Sequence, residues 1–403
     1  MAKIKDYNPQ EYQVPGFSAA AIQAGIRGKE RLDMGLIYSH GPTTTAAGVF
    51  TRSLVKAAPV LLDMEHLRGG TGRAILVNSG IANACTGPAG MEMARYAAGL
   101  TAAELGLAVN EIQICSTGVI GEPLEKEWFA HGIPALKESL SPDGLVAVAR
   151  AMMTTDTHAK MVRRQVTVAG KEVTIVGLAK GSGMIMPNMA TMLSFVMTDA
   201  AIASPLLQEL LSEAVDHSFN VITVDGDTST NDTVLLLAGG AAGNVPLASR
   251  EEAGGFASAL NELLHELALM IVADGEGATK LITVEVAGAT SRAAGLQVAR
   301  TIANSPLFKT ACFGEDANWG RILAAAGRAG VEFEPEKCDI FFDGVQMVAA
   351  GLGLFSNEEA ASKVLQKKSF TVRLDLHCGP ATAQVYTCDL SHDYVSINGD
   401  YRS

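Results

Sequence analysis

Short apolar runs separated by turn residues recur along the whole chain. They fall at residues 74–77, 112–115, 166–168, 173–176, 192–197, 221–224, 234–237, 281–286, 340–342, 371–376 and 383–386. Runs of this length, bounded by Gly, Pro and Asn, predict strands, and Ala169-Gly170 between two of them predicts a hairpin. A different period marks the helices. Leu260, Leu263, Leu264, Leu267 and Ile271 repeat at the spacing of one buried helix face, with an end near Asp274-Gly275. Ser204-Pro205 reads as an N-cap followed by proline at the first helical position, opening a helix that runs through His217. Residues 88–107 and 144–152 predict two more. Strands mixed with amphipathic helices place the chain in the α/β or α+β class. Periodicity leaves the strand order open. Residues 238–255, rich in alanine and glycine, read as a linker or a surface loop.

Composition narrows the classes. At 403 residues the chain is long for one domain and suggests two lobes. A hydrophobic content of 48% with 18% charged residues suits a globular protein with a large core. A net charge of −12 argues against a nucleic-acid partner, which needs basic surface to neutralise phosphates. The N-terminal residues lack the apolar core of a signal peptide, and no run approaches the roughly 20 apolar residues that cross a bilayer, so a cytoplasmic protein without a membrane partner is expected. The six cysteines are scattered without a Cys-x-x-Cys pair and read as free core thiols. The eight histidines form no His-Glu-x-x-His motif, so neither a metal nor a cofactor is expected.

Chemistry concentrates in Lys180-Gly-Ser-Gly-Met-Ile-Met-Pro-Asn-Met-Ala-Thr-Met-Leu193, which sets an Ala190-Thr191 bond behind a loop of glycines, proline and asparagine. An interior threonine brings no base for its hydroxyl. An N-terminal threonine does, because an α-amino group with a reference pKa of about 7.7–8.0 accepts the hydroxyl proton near neutrality. Attack of the Thr191 hydroxyl on the Ala190 carbonyl, followed by ester hydrolysis, would free that amine. Taken alone, the same residues also read as a buried strand entered through a glycine loop. Thr117-Gly118 after an apolar run offers a turn whose N–H groups could face an oxyanion, or an ordinary strand-end turn. Lys180, eleven residues before Thr191, suits a substrate carboxylate or a surface site, and Glu276 projects between two glycines. The acidic string Asp225-Gly-Asp-Thr-Ser-Thr-Asn-Asp232 lacks the sixth-position glycine and distal glutamate of an EF-hand, and reads as scaffolding.

Several motifs recur in order. Beside the segment around Thr191 stand Val-Asn-Ser-Gly-Ile-Ala-Asn-Ala (77–84), Cys-Ser-Thr-Gly-Val-Ile-Gly (115–121), Met-Thr-Thr-Asp-Thr (153–157) and the acidic string with its preceding Thr-Val (223–232). Further on come Gly-Glu-Gly-Ala-Thr-Lys (275–280), Ala-Asn-Ser-Pro-Leu-Phe-Lys-Thr-Ala (303–311), Asn-Trp-Gly-Arg-Ile (318–322) and Tyr-Val-Ser-Ile-Asn-Gly-Asp-Tyr-Arg-Ser (394–403). Nearly end to end, the chain resembles the ornithine acetyltransferase family, also called glutamate N-acetyltransferase or the arginine-biosynthesis bifunctional protein.

That resemblance implies an α-β-β-α sandwich of N-terminal-nucleophile type with a second C-terminal lobe. It implies self-cleavage at Ala190-Thr191 into fragments 1–190 and 191–403, assembled as an α2β2 heterotetramer. It makes Thr191 the nucleophile and Thr117 with Gly118 the oxyanion hole. It places Thr154, Lys180, Thr191, Glu276, Asn398 and Ser403 against substrate, with Thr155 and Thr157 as alternatives to Thr154. The implied reaction moves acetyl from N2-acetyl-L-ornithine to L-glutamate, with acetyl-CoA as a second candidate donor. Competing readings are an N-terminal-nucleophile amidase or aminopeptidase that passes acyl to water, and an uncleaved amino-acid-binding protein.

Overall fold

The computed structural model describes residues 7–28, 31–186 and 192–400. Ala190, Thr191 and Ser403, and so the expected cleavage site, nucleophile and C-terminal contact, lie outside the described residues. The chain divides into two compact units. The first comprises Met1–Gly181, Asn188–Asn220 and Thr228–Ala268, and the second Ser182–Pro187, Val221–Asp227 and Leu269–Ser403.

In the first unit the strands are β1 (Phe17–Ile22), β2 (Met34–Ser39), β3 (Thr45–Phe50), β4 (Ala74–Ile81), β5 (Ile112–Val119), β6 (Lys160–Val168), β7 (Lys171–Lys180), β8 (Leu193–Thr198) and β9 (Thr233–Ala238). Its helices are α1 (Ala58–His66), α2 (Gly87–Leu105), α3 (Lys126–Glu138), α4 (Leu145–Ala151), α5 (Ser204–Asp216) and most of α6 (Gly254–Ala273). One sheet has the order β1-β2-β4-β5 and the other β3-β9-β8-β7-β6. Within them β4 runs parallel to β5, and β8 to β9.

Strand alternation explains how the sheets stack. Ile37, Ile75, Val77 and Cys115 of the first sheet and Val176, Leu178, Phe195, Leu235 and Leu237 of the second share one core. Leu36, Leu76, Ile112 and Ile114 point the other way, into Met93, Ala97, Phe129 and Ile133 of α2 and α3. On the far side of the second sheet α6 buries Leu260, Leu263, Leu264 and Leu267 completely. Each such leucine contributes about 1.5–3 kcal/mol. The unit is the expected α-β-β-α sandwich. By length and composition α6 is apolar enough to cross a membrane, but its leucines are core residues and its Glu266 pairs with Arg164 at 2.6 Å.

The second unit is built on a six-stranded sheet. Its strands are β10 (Leu281–Ala289), β11 (Asp339–Phe342), β12 (Val345–Ala349), β13 (Leu352–Gly353), β14 (Ser369–Asp375) and β15 (Ala381–Cys388), in the order β13-β12-β11-β14-β10-β15. The helices are α7 (Arg292–Ala303), α8 (Pro306–Phe313), α9 (Trp319–Gly327), α10 (Glu358–Leu365) and α11 (His392–Gly399). Ser291, Ser305 and Asn318 cap α7, α8 and α9 through their side chains.

Some expectations need correction. Residues 221–224 form no strand: Ile222 makes a single bridge to Tyr386, after a short 3-10 turn over Phe219–Val221. Ser204 is not the cap of α5 but its first residue, and Ala203 takes the cap position without a side-chain bond. Residues 238–255 lie wholly inside the first unit as the β9–α6 connection, fixed by Asn244 against Ala201. Cys85 and Cys378 are exposed, unlike the other four thiols, so only part of the set is core.

Candidate active site

The first unit gathers one set of groups at the ends of β4, β5 and β7. Gly118 sits opposite Gly80 in the parallel β4–β5 register, with φ +132°. A Cβ on Gly118 would lie 2.2 Å from the Gly80 carbonyl carbon, so no other residue fits without moving backbone. The preceding Thr117 is buried, and its hydroxyl oxygen accepts from Lys180 Nζ at 3.2 Å. Lys180, the last residue of β7, is itself buried. Thus a hydroxyl, a glycine turn and an ammonium meet, although 63 residues separate Thr117 from Lys180.

Asp156 lies beneath them. Its Oδ1 accepts from Lys160 Nζ at 2.7 Å and from the Gly181 N–H at 2.7 Å, and its Oδ2 accepts from the Thr154 N–H at 3.0 Å. Burial pushes this carboxyl up, but the nearby charges of Lys160 and Lys180 and the bonds from Lys160 and Gly181 outweigh it, leaving it well below the usual carboxylate range. Thr154 is fixed from the other side by Arg31 Nη2 on its carbonyl at 3.2 Å. Thr157 is exposed and its hydroxyl meets His158 Nδ1 at 3.0 Å, whereas Thr154 and Thr155 are half-buried.

The acidic string supports this region. Asn231 Nδ2 donates to the Ala82 carbonyl at 2.6 Å and to the Ser116 carbonyl at 2.8 Å, bracing the ends of β4 and β5. Asp232 Oδ1 accepts from the Met192 N–H at 3.0 Å, one residue past Thr191. Burial raises Asp232 well above the usual carboxylate range, against the pull of the Met192 N–H, the Thr51 side chain and Lys180.

The second unit carries its own set. Glu276 is buried at the turn after α6, where Oε2 accepts from Asn398 Nδ2 at 2.8 Å. The Glu276 N–H donates to the Ser182 carbonyl at 2.8 Å, and a Cβ on Gly183 would fall 2.3 Å from the Glu276 carboxyl carbon. Glycine at 183 is therefore what lets the loop pass the carboxylate. Asp225 Oδ2 accepts from Met184 N–H at 2.5 Å and Oδ1 from Ile185 N–H at 2.9 Å, holding that loop. Tyr394, on α11, has its phenol pushed up by burial and by the Asp225 and Glu276 carboxylates.

Of the expected residues, the structure brings together Thr117, Gly118, Lys180 and, through Asp156, Thr154; separately it joins Glu276 to Asn398. Asp156, Lys160 and Tyr394 were missed. Asp156 lies inside the Met-Thr-Thr-Asp-Thr motif, and its spacing of four from Lys160 was the available signal. Among the described residues no group of three or more His, Cys, Asp or Glu side chains is arranged to hold a metal ion. The first unit thus offers a buried ammonium beside a hydroxyl and a glycine turn, and the second a buried carboxylate held by an amide.

The chain is similar to proteins of one known family. The profile of the ArgJ family matches residues 18–403. The arginine biosynthesis bifunctional protein ArgJ of Desulfotalea psychrophila is 56% identical over 393 residues, covering 97% of this chain and 100% of the relative. That of Geobacter sulfurreducens is 53% identical over 392 residues, with 97% and 100% covered. Among solved structures, an ornithine acetyltransferase from Mycobacterium tuberculosis, complexed with ornithine, is 38% identical over 44% of this chain and 95% of that one, with a TM-score of 0.39.

Proposed function

Since the chain belongs to the ArgJ family, we propose that it transfers acetyl from N2-acetyl-L-ornithine to L-glutamate in arginine biosynthesis, through an acetyl ester on Thr191. The observation that carries this reading is the cluster of Thr117, Gly118 and Lys180, joined at 3.2 Å between Lys180 and Thr117, in a chain of this family. The amidase and binding-protein readings are not favoured, because the matched relatives are named for biosynthesis.

Cleavage of the Ala190-Thr191 bond gives fragments 1–190 and 191–403 and frees the Thr191 amine. That amine takes the hydroxyl proton as Oγ attacks the acetyl carbonyl. Thr117 and the Gly118 N–H face the resulting oxyanion, where one preorganised donor is worth about 2.7–4 kcal/mol. The amide C–N bond breaks and ornithine leaves, taking up the proton. The glutamate amine then attacks the ester, Oγ departs and is reprotonated, and N-acetylglutamate forms. Lys180 holds the amino-acid carboxylate, while Glu276, braced by Asn398, faces a substrate ammonium, with Thr154 and Ser403 completing the substrate contacts. Positioning the glutamate amine favours it over water, since effective molarities of oriented groups reach about 10⁵ M and above. No cofactor enters this scheme, and acetyl-CoA is an alternative donor. The fragments pair as an α2β2 heterotetramer in the cytoplasm.

A denaturing gel with an acetyl-transfer assay tests the scheme. The unmodified protein should give two bands and transfer acetyl. Thr191→Ala should remain one chain of 42.1 kDa and lose activity by more than a thousandfold, the scale expected when a covalent nucleophile is removed. A cleaved or active Thr191→Ala protein would end the assignment.

A further inference from the structure

We infer that Asp156 is a positioning residue for acetyl transfer: with Lys160 as counter-charge, it keeps Lys180 protonated and aimed at Thr117. This rests on the reading of Lys180 as the ammonium that receives the substrate carboxylate.

The geometry is specific. Asp156 and Lys160 have side chains with no exposed surface, and their contact is 2.7 Å. The same Oδ1 takes the N–H of Gly181, the residue immediately after Lys180, at 2.7 Å. The carboxylate thereby fixes the backbone at the end of β7 from which the Lys180 side chain departs. Its other oxygen holds the Thr154 N–H at 3.0 Å. One buried carboxylate thus sets the backbone at two expected substrate-contacting positions, and its negative charge lies in the field of both ammonium groups.

A buried ammonium is costly unless an anion stands beside it, and an opposite charge favours its protonated form. Lys160 alone would act the other way, as a like charge near Lys180. Asp232 also faces Lys180 from the start of β9. It is unchanged in the comparison that follows, so its influence is common to every protein measured.

Two substitutions should move the alkaline limb of kcat/KM for N-acetylornithine in opposite directions. Asp156→Asn removes the anion, and the limb should shift to lower pH by about one unit, with at least a tenfold loss of kcat/KM at pH 9. Lys160→Gln removes the like charge and leaves the anion, and the limb should shift to higher pH. The substrate's own ionisation is the same throughout. A purely structural role would lower activity in proportion to the folded fraction and leave both limbs in place, and that result would overturn the inference. If Asp156→Asn does not fold, Lys160→Gln decides: a limb that stays or falls refutes the proposal. Failure of the underlying reading would look different, as absence of acetyl transfer by the unmodified protein at every pH.

Discussion

Asp156 and Asp63 are both aspartates buried in the first unit, yet their protons behave in opposite ways. Asp63, on α1, accepts the Ile114 N–H at 2.7 Å and lies 3.9 Å from the Cys115 thiol. Burial raises it well above the usual carboxylate range, and those two weak donors do not compensate. Asp156 suffers the same burial but faces two ammonium groups and two backbone N–H groups, and it stays ionised. Burial alone does not set the charge of a carboxyl; the number of full positive charges within reach does. The two sites also differ in purpose. β5 is an edge of its sheet, and Asp63 on the Ile114 N–H with His66 on the Ile112 carbonyl at 2.7 Å covers that edge with α1. Asp156 instead directs its bonds to Lys160, Gly181 and Thr154, at the start of β6, just past the end of β7 and in the loop before β6.

The largest break in this comparison is Asp156→Ala. It removes the carboxylate that Lys160 contacts at 2.7 Å, and loss of one partner of a buried pair costs about 3–5 kcal/mol. Urea unfolding at pH 7 should show that loss, and an unchanged midpoint would mean the Lys160 ammonium is compensated elsewhere. The pH dependence carries a definite sign. Because the folded-state pKa of Asp156 is depressed, its stabilisation is fully present above the unfolded value of about 3.9 and is lost as pH falls below it. Stability of the unmodified protein should therefore drop on acidification, and Asp156→Ala should flatten that part of the curve.

Asp63→Asn sharpens the other side. The amide oxygen still accepts the Ile114 N–H, but no charge can form. A raised folded-state pKa has the opposite sign: the unfolded carboxyl ionises above about 3.9 while the folded one keeps its proton, so the unmodified protein loses stability as pH rises from there. The asparagine variant should be the more stable protein at pH 8, and its advantage should shrink towards pH 4. Thermal melts at the two pH values measure this, and an advantage that grows on acidification would show Asp63 to be ionised when folded.

How much of this was legible in the sequence follows the physics of each signal. The leucines of α6 fix a helix because four of them fill one face, and the Val- and Leu-rich runs of β7, β8 and β9 announce buried strands. β1 and β3 were missed because Phe-Ser-Ala-Ala-Ala-Ile and Thr-Ala-Ala-Gly-Val-Phe are alanine- and glycine-rich, and their strand character comes from pairing with β2 and β9 rather than from side-chain propensity. α7 to α9 are short, and their caps at Ser291, Ser305 and Asn318 are the stronger local marks. The candidate residues Thr117, Gly118, Lys180, Glu276 and Asn398 came from the family motifs, and the structure joins Thr117 to Lys180 and Glu276 to Asn398. The Asp156 cluster was not legible, because its partners come from the starts and ends of different strands, and only the fold places Gly181 against a residue 25 positions earlier.

Asp232 gives the finest test of what decides a buried carboxyl's charge. It resembles Asp63 in holding one backbone N–H, that of Met192 at 3.0 Å, and resembles Asp156 in lying within the field of Lys180. Burial is the largest influence on Asp232, and the Met192 N–H, the Thr51 side chain and the charge of Lys180 do not outweigh it, so its carboxyl is pushed up as that of Asp63 is. Asp232→Asn should then be the more stable protein at pH 7, as with Asp63, because the unfolded carboxyl is ionised above about 3.9 while burial disfavours the folded anion. Its advantage should shrink towards pH 4, as the unfolded carboxyl takes up its proton. A loss at pH 7 on the scale of Asp156→Ala would instead place a second anion beside Lys180, and the division between ionised and neutral carboxyls would then follow nearness to Lys180 rather than the count of ammonium groups.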